Sequence, residues 1–142
     1  MMLALILVGG AASLANIAIH SVWTVFLDHA VRRFWVRRKH LHFLRDRVLL
    51  MMSTVAILMV AHLAEVAVWA ATYAAVGATP KGASHSYLAF VNYTTLGYGD
   101  IVPVKPWQLL GPITALNGIL LIGWSTAVII DVVRTTTHDD QG

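Results

Sequence analysis

Three long apolar stretches decide what this chain can fold into. They cover residues 2–27, 48–76 and 106–133. Each reaches the ~20 residues that a helix needs to cross a hydrocarbon core. Within that core every backbone polar group must be satisfied internally, so a spanning segment of this length is a helix. Composition agrees: 58% of residues are hydrophobic and 12% charged, about half the charge of an average soluble domain. The 142 residues contain no cysteine, which excludes a disulfide framework and any thiolate metal site. No internal repeat or low-complexity linker divides the chain, so it reads as one membrane domain over 1–142.

Charge is unevenly placed. The net charge is +3, yet residues 28–47 hold Arg32, Arg33, Arg37, Arg38, Lys39, Arg45 and Arg47 against only Asp28 and Asp46. A basic chain suits nucleic acid in general, but a cluster beside apolar spans suits lipid headgroups. Membrane lipids, anionic ones among them, are therefore the expected partners, and nucleic acid is not. Arg32, Arg33, Trp35, Arg37, Arg38 and Lys39 are the candidate lipid contacts. Val31, Phe34, Trp35, Leu41 and Leu44 recur near helical spacing between these charges. That pattern fits an amphipathic helix on the inner leaflet, and equally a bare topology signal. A voltage sensor fits less well, because the arginines sit in adjacent pairs outside the apolar spans.

The same cluster orients the chain. Basic connectors stay in the cytoplasm, so the connector 28–47 is expected inside, the N-terminus outside, residues 77–105 outside and the C-terminus cytoplasmic. The first span lacks a basic leader and has a long apolar run, so it is read as a retained helix and not a cleaved signal. The location is a cell (inner or plasma) membrane, crossed several times.

Between the second and third spans lies a shorter apolar run, 87–93, too short to cross. It reads as a half-helix capped by Ser84 or Ser86. Directly after it stand Thr94, Thr95, Leu96, Gly97, Tyr98, Gly99 and Asp100. A dehydrated potassium ion needs a cage of oxygens, and rings of backbone carbonyls from several loops supply one. Pointing successive carbonyls at one axis requires backbone conformations that L-residues resist and glycine accepts. Gly97 and Gly99 stand at alternate positions, as that geometry demands. The oxygens around the ion would come from Thr95, Leu96, Gly97 and Tyr98. Leu96 and Tyr98 are expected to point away from the axis and wedge the loop against surrounding helices, with Asp100 at the outer mouth. One loop gives a quarter of each ring, so four copies must meet on an axis.

From 48 to 134 the chain resembles the pore domain of bacterial potassium channels of the two-transmembrane "ion channel" family. The resemblance rests on the seven residues 94–100, which depart from the family pattern only at Leu96, where Val or Ile is usual. Pro103 and Trp107 follow at family-like distances, and Tyr87 stands where an aromatic commonly bonds the outer Asp. Val91 departs from members with a buried acid behind the filter. The resemblance implies an all-α integral membrane protein with three transmembrane helices, a re-entrant pore helix and a selectivity-filter loop. It implies a homotetramer that passes potassium passively, with no cofactor beyond the permeant ion. It also suggests the divisions 1–27 (an additional span), 28–47 (the basic connector) and 48–134 (the pore module).

Five further residues are candidates for gating or pore support. His62 and Glu65 are three apart on one helical face, with Trp69 four further on. A carboxylate inside a span needs partners, and Asn92, Thr94, Asn117 and His62 are the donors in reach. Their role is structural or regulatory. Asn117, Gly118 and Gly123 lie in the third span, and the glycines act as a hinge or as close-packing points. Pro112 is expected to kink that span near its outer end. His20, His29, His40, His42, His85 and His138 show no metal-ligand spacing. Rival readings are a potassium-transporter subunit, which a single complete filter copy argues against, and a non-conducting membrane subunit or lipid-binding scaffold. No nucleophile–base pair or phosphate loop suggests an enzyme.

Overall fold

The computed structural model describes residues 2–37 and 44–137, with the side chains of 34–37 and 135–137 left aside. Four helices carry these residues: α1 (Met2–Arg37), α2 (Leu44–Ala75), α3 (His85–Tyr93) and α4 (Leu110–Thr137). No strand occurs among the described residues. Three helices are long and apolar enough to cross a membrane, over Met2–Arg33, Leu44–Ala75 and Leu110–Arg134, with mean hydropathy 2.2, 2.0 and 1.9. This is a multi-pass membrane protein.

The first helix outruns its apolar stretch. α1 has 36 residues, about 54 Å of helix against about 30 Å of hydrocarbon. It continues through Val31, Phe34 and Trp35, so up to Arg37 the basic segment extends the spanning helix and forms no separate interfacial one. Straight-chain arginines are good helix formers, and nothing between 27 and 37 breaks the helix. Residues 38–43, with Arg38, Lys39 and Leu41, lie outside the described residues.

α3 has nine residues, about 13 Å, too short to cross. Ser84 caps it, accepting from the Tyr87 N–H at 3.2 Å, which settles the choice between Ser84 and Ser86. The Val104 N–H donates to the Ala78 carbonyl at 2.8 Å. The segment between α2 and α4 therefore leaves and returns at one place, with α3 and its loop folded between. Pro112 falls in the first turn of α4. There its missing N–H removes no helical bond, and the expected kink has no cause.

Two apolar clusters hold the helices together. One joins Leu5 and Ala12 of α1 to Val66, Trp69 and Tyr73 of α2, Leu88 and Tyr93 of α3 and Leu110 of α4. The other joins Leu27 and Val31 to Leu50, Leu58 and Val132. Between them along α1 lie Asn16 and His20, both fully buried.

Candidate functional site

The loop after α3 has an unusual backbone. Positive φ recurs at alternate residues: Thr95 (60°), Gly97 (57°) and Gly99 (77°). For glycine this is free; for a β-branched residue it is rare and strained, and such strain collects at functional sites. The first four N–H donors of the loop are engaged. Thr94 N–H bonds the Phe90 carbonyl at 3.0 Å, Thr95 N–H the Asn92 carbonyl at 3.0 Å, and Leu96 and Gly97 N–H the Val91 carbonyl at 3.0 and 3.3 Å. The end of α3 thus takes up the N–H groups of residues 94–97. The carbonyls of 95–99 accept no hydrogen bond from the described residues. Carbonyls within the hydrocarbon region need a partner, and the described residues provide none here.

Leu96 and Tyr98 do not wedge against helices of their own chain: they are 53% and 69% exposed. Asp100 accepts a hydrogen bond from the Tyr87 hydroxyl at 2.7 Å. That carboxylate holds the Tyr87 hydroxyl above the ordinary phenol range. The tyrosine therefore keeps its proton and remains the donor that fixes the outer end of the loop.

Behind the loop runs a polar seam. On α2 it is His62, Glu65, Trp69 and Tyr73, spaced three and four apart so that they share one face. Glu65 is fully buried. Its Oε1 meets His20 Nδ1 at 2.8 Å and its Oε2 meets His62 Nδ1 at 2.9 Å; Oε2 also accepts from the Tyr93 hydroxyl, which lies 2.8 Å from His62 Nδ1. Of the donors expected from sequence only His62 reaches it. Asn92 donates to the Tyr73 hydroxyl, which meets Thr114 Oγ1 at 2.7 Å, and Thr94 turns back to the Phe90 carbonyl. Asn117 lies one layer outward. Its Oδ1 accepts from Asn16 Nδ2 at 2.9 Å and from Trp69 Nε1 at 3.0 Å, while Asn16 also reaches the Glu65 carbonyl.

His20 and Asn16 are thus functional candidates that sequence reading passed over. The signal was present: two polar residues four apart in an otherwise apolar span. The ligand atoms of His20, His62 and Glu65 lie within 4.8 Å of one another, although no spacing in the sequence groups them. Each Nδ1 is already engaged with the carboxylate, so the cluster is hydrogen-bonded as it stands.

The two glycines of α4 differ. A Cβ on Gly118 would sit 1.9 Å from the Tyr93 carbonyl oxygen, so α4 passes hard against the end of α3 there. A Cβ on Gly123 would meet nothing within 4 Å among the described residues. At the other end of the molecule Arg32 and Arg33 are exposed on α1, with Arg32 Nε paired to Asp28 at 2.8 Å. Trp35 and Arg37 lie in the last turns of α1.

A family model described as "Ion channel" matches residues 61–135. That is more than half of the 142 residues, and the chain belongs to this ion channel family. The match begins in α2 and ends in α4, so α1 lies outside it. No curated protein and no solved structure matches the chain.

Proposed function

We propose that this protein is a potassium-selective channel, in which four copies bring the loop 94–100 together around one axis. The observation that carries the reading is the loop backbone. Positive φ at every second residue, with the N–H groups of 94–97 turned toward α3 and the carbonyls of 95–99 left free, suits a column of oxygens able to replace a hydration shell. Potassium would be held at Thr95, Leu96, Gly97 and Tyr98. The exposure of Leu96 and Tyr98 in one chain supports the assembly, since a neighbouring copy is what remains to cover them. The paired ends of the 78–104 segment support a re-entrant arrangement with α3 as the pore helix. The basic connector supports a cytoplasmic loop between α1 and α2, and so an external N-terminus and a cytoplasmic C-terminus. The seam behind the loop then serves as pore support.

The deciding measurement is a reversal potential. Purified full-length protein in a planar bilayer, with potassium on one side and sodium on the other, should reverse close to the potassium equilibrium potential. Equal passage of sodium, or no current, sinks the reading. The second outcome would favour a non-conducting membrane subunit.

A further inference from the structure

We infer that the first helix clamps the filter, and that His20 is the positioning residue that does so. This rests on the channel reading above. α1 lies outside the matched segment, yet it delivers a fully buried imidazole to the carboxylate that holds the last residue of α3. The linkage is short: His20 Nδ1 to Glu65 Oε1, Glu65 Oε2 to the Tyr93 hydroxyl, and from Tyr93 directly into Thr94 and Thr95. The Tyr93 carbonyl is in turn pressed against Gly118. A shift of His20 therefore moves the residue from which the filter loop hangs.

The clamp is closed into a ring, which counting protons makes visible. Glu65 meets His20 and His62 through their Nδ1 atoms at 2.8 and 2.9 Å. With Glu65 ionised both imidazoles donate there, because an ionised carboxylate only accepts, and the Tyr93 hydroxyl, 2.8 Å from His62 Nδ1, donates to the same carboxylate. Their Nε2 atoms converge on Ser125 Oγ, His62 at 2.9 Å and His20 at 3.5 Å. If both imidazoles are neutral, both Nε2 atoms are acceptors, and the single hydroxyl hydrogen of Ser125 serves only one of them. One added proton on His20 Nε2 completes the circuit. His20 then donates to Ser125, Ser125 donates to His62, and both imidazoles donate to Glu65. The same proton balances the carboxylate, so the span carries no net buried charge. The groups that face His20 are Glu65 and His62 from α2 and, through Glu65, Tyr93 from α3. α4 presents Ser125 and the Trp124 ring, 5.2 Å away. His62 and Ser125 of the ring line an apolar cavity of about 450 Å³ together with Phe90 and Tyr93, while His20 stays enclosed behind them.

The longest bond of the ring, His20 to Ser125, is the one that depends on the added proton. Losing it removes one polar link between α1 and α4, leaving that of Asn16 to Asn117, and leaves His20 held through Glu65 alone. The clamp should therefore hold while that proton is in the ring, at acid pH, and slacken where it is lost, at alkaline pH.

The test uses full-length protein in bilayers and in detergent. Potassium conductance and the potassium-over-sodium permeability ratio are recorded from acid to alkaline pH, beside the melting temperature of the assembly. Wild type should lose conductance or selectivity several-fold toward alkaline pH, and its melting temperature should fall in parallel. His20→Gln should flatten both profiles. Ser125→Ala, nearly isosteric and free of any titrating group, should flatten them too, which keeps the idea testable if His20→Gln assembles poorly. A merely structural His20 would lower the melting temperature by the same amount at every pH and leave the wild-type profile shape in place; that result overturns the clamp. So does zinc restoring alkaline wild-type conductance, which would give the cluster to a metal ion. Absence of potassium current from wild type at every pH sinks the channel reading instead, and the melting profiles still judge the ring.

Discussion

Single residues already separate backbone geometry from packing. At Gly97 (φ 57°) a Cβ has room, its nearest neighbour being the Thr95 carbonyl oxygen at 3.9 Å. Gly97→Ala should therefore act through the left-handed conformation, at roughly 1–2 kcal/mol per chain. The expected outcome is a normal yield of assembled protein with potassium flux lost, read by flux assay beside size-exclusion chromatography. Gly118→Ala is the opposite case. Its methyl meets backbone that cannot swing aside, so it should cost about 1–3 kcal/mol or more, whereas Gly123→Ala, in open space, should stay within about 0.5 kcal/mol. Comparative melting checks the pair. Gly97 and Gly99 were legible in the sequence, because only glycine fits alternate left-handed positions cheaply. Thr95 was not: a threonine carries no sign of positive φ, and only the donors gathered by the end of α3 show why the chain turns there. The contrast between Gly118 and Gly123 was equally hidden, since both are small residues on one helix and only the passage of α3 tells them apart.

Elements come next, and here the short helix and the seam carry the argument. Ser84→Ala removes the cap of α3 and should cost about 0.5–2 kcal/mol. It also loosens Tyr87, one turn in, and with it the bond to Asp100. Glu65 tests the seam. Glu65→Gln keeps an acceptor oxygen for part of the donor set, so the assembly should survive with an altered open probability. Glu65→Leu leaves the His20 Nδ1 buried without its acceptor, and Tyr93 and His62 with only each other at 2.8 Å. Each stranded group costs about 1–3 kcal/mol, and the assembly should melt well below wild type. Single-channel recording beside thermal melting distinguishes them, and wild-type behaviour of both variants would make Glu65 a bystander. The face His62–Glu65–Trp69 was readable from spacing alone, and so was the existence of α3. The partners of Glu65 were not. Beyond His62 they come from two other helices, His20 from α1 and Tyr93 from α3, and helical periodicity says which residues share a face but not what the face meets.

At the scale of the whole molecule the proposed assembly and orientation make separate claims. Chemical crosslinking in mild detergent should stop at four copies. A tag at residue 1 should react with impermeant reagents on intact cells, and a tag after Gly142 should not. Lipid contact is proposed for the basic end of α1 and the connector beyond it. Replacing Arg37 and Arg38 with Gln should weaken binding to anionic vesicles by up to ~1 kcal/mol per charge removed, and indifference to anionic lipid would reduce the connector to a topology signal. The number of spans was plain in the sequence, because an apolar run of this length has one solution in a membrane. The continuation of α1 through Trp35 to Arg37 was not, because charge marks where a helix leaves the hydrocarbon and not where it ends.

The pairing of His20 with Glu65 also bears on how the protein is made. A chain threaded into the membrane from its N-terminus delivers α1 and α2 before α3 and α4 exist. Within that first hairpin the costliest side chain of the protein already has an imidazole beside it at 2.8 Å, and its carbonyl already has Asn16. Ser125 and Asn117 arrive last, on α4, and add the remaining bonds. Once α1 and α2 pair as they do in the finished fold, Glu65 has a polar partner before the rest of the chain is synthesised.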